Sequence, residues 1–152
     1  MLIRIFVSTA KELGAEVNVQ NANGDISEQI AQIEYLIDKK VDTIVVIPID
    51  AEAVTEVIKK ARREGIKVIS YDRLVKNADV DLYISVDNKK VGELIAQSLI
   101  GKIGTSGDIL MVCGPLTDYN VVQLNEGFEN KIARTNINII DKLYTEEWLP
   151  EK

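Results

Sequence analysis

Short apolar runs rich in β-branched residues alternate along the chain with longer runs in which apolar residues recur at helical spacing. The clearest short run, Thr43 to Ile47, is continuous and ends at Pro48, which is typical of a strand covered on both faces. Before it, Asp25 and Glu28 have the spacing of a helix N-cap and its capping-box partner. The apolar stripe after this signal has helical spacing and consists of Ile26, Ile30, Ile33 and Ile37.

The same patterns assign most of the chain. Further helices are predicted from a cap at Asp50 to Gly65, over 88–103 and over 120–133. The core-facing residues expected in the last two are Val91, Leu94, Ile95 and Leu99, and Val121, Leu124 and Phe128. Strands are predicted at Glu16–Gln20, Thr43–Ile47, Lys67–Tyr71, Leu82–Val86, Asp108–Cys113 and Ile137–Leu143.

This alternation predicts an α/β fold with an open, mostly parallel sheet, helices on both faces and right-handed crossovers. The glycine-rich segment Gly101–Gly107 is the best candidate for a boundary. We therefore expect a first lobe over 1–103, with 104–152 forming a hinge and the start of a second lobe. Gly101–Gly107 is not a phosphate loop, because it lacks the Gly-Lys-Ser/Thr ending and lies between a helix and a strand in the wrong order.

The start of the chain allows two interpretations. Leu2 to Val7 could be the central first strand of the sheet, but only Ser8 to Leu13 would remain for the crossover helix. Alternatively, Ile5 to Leu13 is the end of a helix capped by Gly14, and the first strand is absent. We favour the second interpretation.

The amino-acid composition reduces the number of function classes that fit this chain. The chain has 152 residues, 46% hydrophobic and 28% charged, with a net charge of −6, which argues against nucleic acid or an anionic membrane as a partner. It has no histidine, so the commonest general base and metal ligand is absent, and we expect neither a metal nor a cofactor.

The single cysteine, Cys113, lies in an apolar strand and should be inert. No apolar run reaches the length of a bilayer span, and Met1–Arg4 does not resemble a signal peptide.

Polar side chains follow the predicted strands. In a parallel sheet, ligands bind just beyond the carboxyl ends of the strands. Carboxylate, amide and guanidinium groups at these positions suit the hydroxyls of a small sugar better than a phosphate, and an indole can stack on a sugar ring. The residues at these positions are Asn21, Ala22 and Asn23, Ile49 and Asp50, Asp72 and Arg73, Asp87 and Asn88, and Thr117, Asp118, Tyr119 and Asn120, and Trp148 is the one tryptophan.

Simpler structural roles compete with binding at several of these positions. Asp25, Asp50 and Asp87 precede helices and are better explained as caps, and Asp118 could be one too. Asn21 is as easily a turn former, and Trp148 could belong to the core or an interface. Asp72 and Arg73 directly follow an apolar strand, which favours binding over a surface ion pair.

At these positions the chain resembles the sugar-binding proteins of bacterial ABC transporters that have the type I periplasmic-binding fold, and most of all the D-xylose-binding members. The resemblance covers nearly the whole chain. The stretches that carry it are residues 19–24 (VQNANG), 65–73 (GIKVISYDR), 83–93 (YISVDNKKVGE) and 148–151 (WLPE).

The resemblance implies two lobes that close on one sugar, in this case a pentose such as D-xylose. Asp72 and Arg73 would bind sugar hydroxyls from the first lobe, Asp118 and Asn120 from the second, and Trp148 would stack on the pyranose. The implied location is extracytoplasmic, and the implied partner is an ABC permease or a sensor histidine kinase. Family members are much longer than this chain, so we expect a fragment. Its first-strand position would be filled by another chain, by residues 2–7 or by strand exchange.

Two other classes of function compete with sugar binding. The effector domain of a LacI-type regulator shares this fold, but no DNA-binding helix-turn-helix fits before Gly14. An enzyme would need Asp72 and Asp118 as an acid–base pair. Neither a metal cluster nor an activating partner supports that chemistry, and we expect a binding protein.

Overall fold

The computed structural model describes residues 2–146 and residue 148. Its strands form two parallel sheets, a three-stranded sheet with the order β1-β2-β3 and a two-stranded sheet of β4 and β5. The α/β class is thus confirmed, although the strands divide between two sheets. The elements are α1 (Leu2–Glu12), α2 (Ile26–Asp38), β1 (Thr43–Val46), α3 (Thr55–Arg63), β2 (Lys67–Tyr71), β3 (Leu82–Ile84), α4 (Asn88–Ile103), β4 (Ser106–Cys113), α5 (Tyr119–Ile132) and β5 (Asn136–Tyr144).

The chain begins with a helix, as the favoured interpretation predicted. Gly14 adopts φ +84°, and its N–H donates to the carbonyl of Lys11 while the N–H of Ala15 donates to that of Ala10. This pair of bonds is a Schellman motif, which needs a residue in the left-handed region and so favours glycine. The alternative, a strand over residues 2–7, is wrong.

The predicted strand over Glu16–Gln20 is also wrong, because these residues belong to neither sheet of the described chain. A β-strand is held by hydrogen bonds to a neighbouring strand. In the described part of the chain, β1 pairs only with β2 and leaves its other edge open, so nothing beside residues 16–20 offers a ladder. An open edge favours pairing with a second chain. The expected self-association remains a prediction, which light scattering over a range of concentrations would test.

Aspartates begin the helices as expected. Asp25 accepts a hydrogen bond from the N–H of Glu28 at the start of α2, and Asp87 accepts one from that of Lys90 at the start of α4. Asp50 differs, since its carboxylate caps a turn over residues 51–54, and α3 begins only at Thr55. The helix predicted to begin at Asp50 therefore starts later than expected.

The first hydrophobic core lies on one face of the β1-β2-β3 sheet. It joins α2 and α3 to the sheet through buried residues that include Ile33, Ile58 and Val68. Along β1, Ile44 and Val46 are buried whereas Val45 is 37% exposed. The expectation that this strand is covered on both faces is wrong for the part of the chain that the structure describes.

The second core lies between the β4-β5 sheet and the helix pair α4 and α5. Gly92 on α4 and Gly127 on α5 face the partner helix so closely that a Cβ on Gly127 would lie 1.9 Å from the carbonyl oxygen of Lys89. Only small residues fit such a crossing, and Gly92 and Ala96 lie on the buried side of α4, together with Asn88 at its first turn. The predicted core positions Val91, Leu94 and Ile95 are exposed instead, while Leu99 packs against this second core.

Helix α4 therefore packs with the elements that follow it. Its residue Ala96 shares a core with Phe128 and Ile132 of α5 and with Ile137 of β5. The packing partner changes between β3 and α4 rather than at the glycine-rich segment. The boundary expected between residues 103 and 104 does not coincide with this change, and we propose that the two lobes divide at residues 85–87.

Candidate functional site

Residues from the ends of β2 and β4 meet at one place. Arg73 Nε lies 2.8 Å from Asp118 Oδ2, and Asn120 Nδ2 donates a hydrogen bond of 3.2 Å to the backbone oxygen of Asp72. The two pairs connect the two sheets, because Asp72 and Arg73 follow β2 whereas Asp118 and Asn120 follow β4. The structure thus brings these four predicted residues together.

Asp72 turns the chain sharply at the end of β2. Its φ is +63°, and the N–H of Arg73 donates across it to the carbonyl of Tyr71 at 2.7 Å. A hydrogen bond between residues two apart across a positive φ marks the rare, strained form of γ-turn, and backbone strain of this kind clusters at binding sites. The backbone oxygen of Asp72 also accepts a hydrogen bond of 2.7 Å from Ser85 Oγ. The exposed carboxylate has no hydrogen bond or ion pair within residues 2–146 and 148.

Ser70 holds the segment after this turn in place through two hydrogen bonds. Its hydroxyl donates to the backbone oxygen of Arg73 at 2.6 Å and accepts from the N–H of Val75 at 2.9 Å. Both Ser70 and Val75 are buried. Sequence analysis missed Ser70, although a polar residue inside an apolar strand was a usable signal, because a buried hydroxyl needs hydrogen-bond partners.

Asp118 has two roles at once. It is the N-cap of α5, since its Oδ1 accepts a hydrogen bond of 3.0 Å from the N–H of Asn120. Its Oδ2 accepts another of 3.0 Å from Trp148 Nε1 and faces Arg73. The side chain is 3% exposed, so the guanidinium and the indole N–H offset the cost of burying a carboxylate.

Two buried polar atoms lack a hydrogen-bond partner among the described residues, namely Arg73 Nε and Asn120 Oδ1. Arg73 Nε is close to Asp118 but its N–H is not directed at the carboxylate, so the contact is electrostatic. Buried polar groups in proteins are almost always paired, and exceptions point to a functional partner. One donor and one acceptor are thus left without a hydrogen-bond partner where the two sheets meet.

Trp148 lies beside this cluster. The residue is 54% exposed, and the six-membered ring of its indole lies against the backbone of Gly114, directly after β4. The other residues quoted with it, Leu149 to Glu151, lie outside the described residues. The predicted site residue Trp148 therefore joins the four above.

Asn21 does not join them. Its Oδ1 accepts a hydrogen bond from the N–H of Asn23 at 3.0 Å, and its backbone oxygen accepts one from Gln32. These contacts match the turn-forming interpretation. No hydrogen bond connects Asn21 to the other five residues within the described part of the chain, and its role in binding remains a prediction.

Two further contacts join residues that follow β1 or β2 to residues that follow β4. The N–H of Ala51 donates to the carbonyl of Thr117 at 3.1 Å, and Lys76 Nζ lies 5.4 Å from the centre of the Tyr119 ring. Thr117 and Tyr119 are among the positions predicted after β4, whereas nothing in the sequence pattern indicated Ala51 or Lys76. They add to the contacts that connect the two sheets next to the cluster.

Other chemistry has little support in the described part of the chain. No group of three or more His, Cys, Asp or Glu side chains is close enough there to hold a metal ion. Cys113 is buried, which raises the pKa of its thiol and disfavours the reactive thiolate. None of the described helices is long and apolar enough to cross a membrane.

Fold and site together define a class of protein. The chain belongs to the periplasmic binding protein domain family, whose sequence profile matches residues 3–152, and it has the type I fold of that family. Over 97% of its length it is 43% identical to the D-xylose-binding periplasmic protein of Haemophilus influenzae and 40% identical to that of Escherichia coli. It spans 46% of each of these relatives. The resemblance inferred from the sequence is thereby confirmed.

A solved structure supports the same fold. The fructose-binding periplasmic domain of a hybrid two-component system superimposes with a TM-score of 0.83 and 26% identity. The match covers 89% of this chain and 45% of that one. All three proteins are described as binding proteins or domains, which agrees with the expectation of a binding protein rather than an enzyme.

Proposed function

We propose that this chain contributes to an extracytoplasmic protein that binds a neutral sugar, D-xylose first of all, between the ends of β2 and β4. The observation that carries the proposal is the cluster of Asp72, Arg73, Asp118, Asn120 and Trp148. Its carboxylate, amide and guanidinium groups suit hydroxyl groups, and its exposed indole suits the apolar face of a pyranose. The D-xylose-binding relatives support the choice of sugar and the location.

Sugar binding would favour a closed arrangement of the two lobes. The contacts between the sheets, such as Asp72 with Asn120, exist only while the strand ends are close together. A ligand that bridges both groups of residues binds the closed state more tightly than the open one and shifts the population towards it. The closed form would then be recognised by the partner protein.

For that partner we propose the permease of an ABC transporter. A sensor histidine kinase is the second candidate, and the likeness to the fructose-binding domain of a two-component system favours it specifically. Co-purification of the sugar-loaded protein with each partner would distinguish the two.

Calorimetric titration tests which sugar the protein binds. D-xylose should release heat, and D-ribose and D-glucose should bind more weakly. Asp72→Ala should remove most of the heat, because the exposed carboxylate is an acceptor for sugar hydroxyls, whereas Asp38→Ala, at the exposed end of α2, should not. The absence of heat with every sugar, or full affinity in Asp72→Ala, would contradict the proposal.

A further inference from the structure

Gly114 lies so close to Trp148 that residue 114 cannot carry a side chain while the indole keeps its position. A Cβ on Gly114 would lie 2.4 Å from Cζ2, 2.5 Å from Cη2 and 2.9 Å from Cε2 of the indole. Side-chain carbons do not approach this closely. The tryptophan can occupy its place only because residue 114 has no side chain.

Residue 114 has to be glycine because a side chain would meet the indole, not because of its backbone conformation. Gly114 is not among the residues with positive φ, and it precedes Pro115, which favours extended backbone that alanine also adopts. An alanine would therefore fit the main chain and collide only with the indole. Because the indole is the outer end of a side chain, it would move while the strand stays in place.

A displaced indole would lose its connection to the rest of the site. Trp148 Nε1 donates to Asp118 Oδ2, and the same carboxylate oxygen lies against Arg73. The indole thus packs against Gly114 on one side and donates a hydrogen bond to Asp118 of the Arg73–Asp118 pair on another. Its position relative to the sugar-binding groups depends on both contacts.

We propose that Gly114 is a positioning residue, which acts through Trp148 by setting where the indole platform stands beside Asp118 and Arg73. This proposal rests on the proposed function for its link to the sugar. The placement of the indole can nevertheless be tested without any ligand.

The first test uses the fluorescence of the full chain, which contains one tryptophan, so that emission reports Trp148 alone. In Gly114→Ala the indole should become more exposed, with a red-shifted emission maximum and stronger quenching by acrylamide. Gly101→Ala is the matched control, because a Cβ there meets nothing within 4 Å. Emission and quenching that are the same in Gly114→Ala and the wild type would overturn the proposal.

The second test is a double-mutant cycle with Trp148→Leu, measured by D-xylose affinity and by urea unfolding. Gly114→Ala should weaken D-xylose binding by about five- to tenfold when Trp148 is present and have little further effect in Trp148→Leu. If Gly114→Ala fails to fold, Trp148→Leu should rescue it, because the collision is gone. Equal losses in both backgrounds would overturn the proposal.

The two tests separate this proposal from the proposed function. A wild-type chain that binds no sugar would overturn the function, while the fluorescence and unfolding measurements would still decide the role of Gly114. A chain that binds D-xylose equally well with alanine at position 114 would overturn the positioning role alone.

Discussion

Arg73 and Asp118 form an ion pair that connects the two sheets, with 2.8 Å between Nε and Oδ2, and neither side chain has another charged partner in the described chain. Asp118 is almost fully buried and Arg73 is largely buried. Among the described residues it is the one ion pair that joins a residue after β2 to a residue after β4, and it lies within the proposed sugar site.

We expect Asp118→Asn to lower the free energy of unfolding by about 1–3 kcal/mol, because it leaves the Arg73 charge without its partner. Asparagine caps helices as well as aspartate does, so the loss would not come from α5 itself. Asp25→Asn is the matched control, since it makes the same change at a helix cap without an arginine. Urea unfolding would measure both variants, and equal effects would argue against the importance of the ion pair.

Ser70→Ala should destabilise the protein by about 1–3 kcal/mol, because the backbone oxygen of Arg73 and the N–H of Val75 would lose a buried partner. It should also weaken sugar binding, since the turn that carries Asp72 and Arg73 would be less fixed. Ser98→Ala, on the exposed side of α4, should change neither property. Thermal unfolding and calorimetry would measure the two effects, and wild-type values in Ser70→Ala would contradict this account.

Gly127→Ala should destabilise by about 2 kcal/mol or more, because a Cβ there would collide with the Lys89 carbonyl and push α4 and α5 apart. Gly101→Ala, on the open side of α4, should instead stabilise by about 0.5–1 kcal/mol through its helix propensity. Circular dichroism during urea unfolding would measure both. A Gly127→Ala variant as stable as the wild type would mean that the helices do not cross so closely.

Stability should depend on pH through Asp81. The backbone N–H of Val68 is the main cause that lowers the pKa of Asp81 from 3.8 to about 2, and Arg62 adds to it. The folded state therefore favours the carboxylate, so this contribution is fully present above about pH 4 and is lost as the pH falls towards 2. Asp81→Asn should be less stable at neutral pH and should lose less stability between pH 4 and pH 2. Asp38→Asn should follow the wild type, and an identical pH profile in Asp81→Asn would contradict the assignment.

Most helices and strands could be predicted from local pattern, because capping and apolar periodicity act over a few residues. Helix α4 was predicted from Asn88 to Ile103, as found, yet its core-facing side was wrong. Large apolar residues normally mark the buried side of a helix, but here Gly92 allows α5 to approach and Leu94 faces outward. That choice depends on the partner helix, which no local pattern describes.

The site, like the helices, was predicted in part from the sequence and was decided in part by the folded chain. A rule about parallel sheets placed Asp72, Arg73, Asp118 and Asn120 among the candidates, because polar groups at the carboxyl ends of strands share one edge, and the resemblance to sugar-binding proteins narrowed the set to them. Only the folded chain decided that Arg73 pairs with Asp118, that Asn120 reaches the backbone of Asp72, and that Trp148 needs a glycine at position 114. These relationships join residues distant in sequence, and they arise from packing geometry, which local periodicity and residue type do not encode.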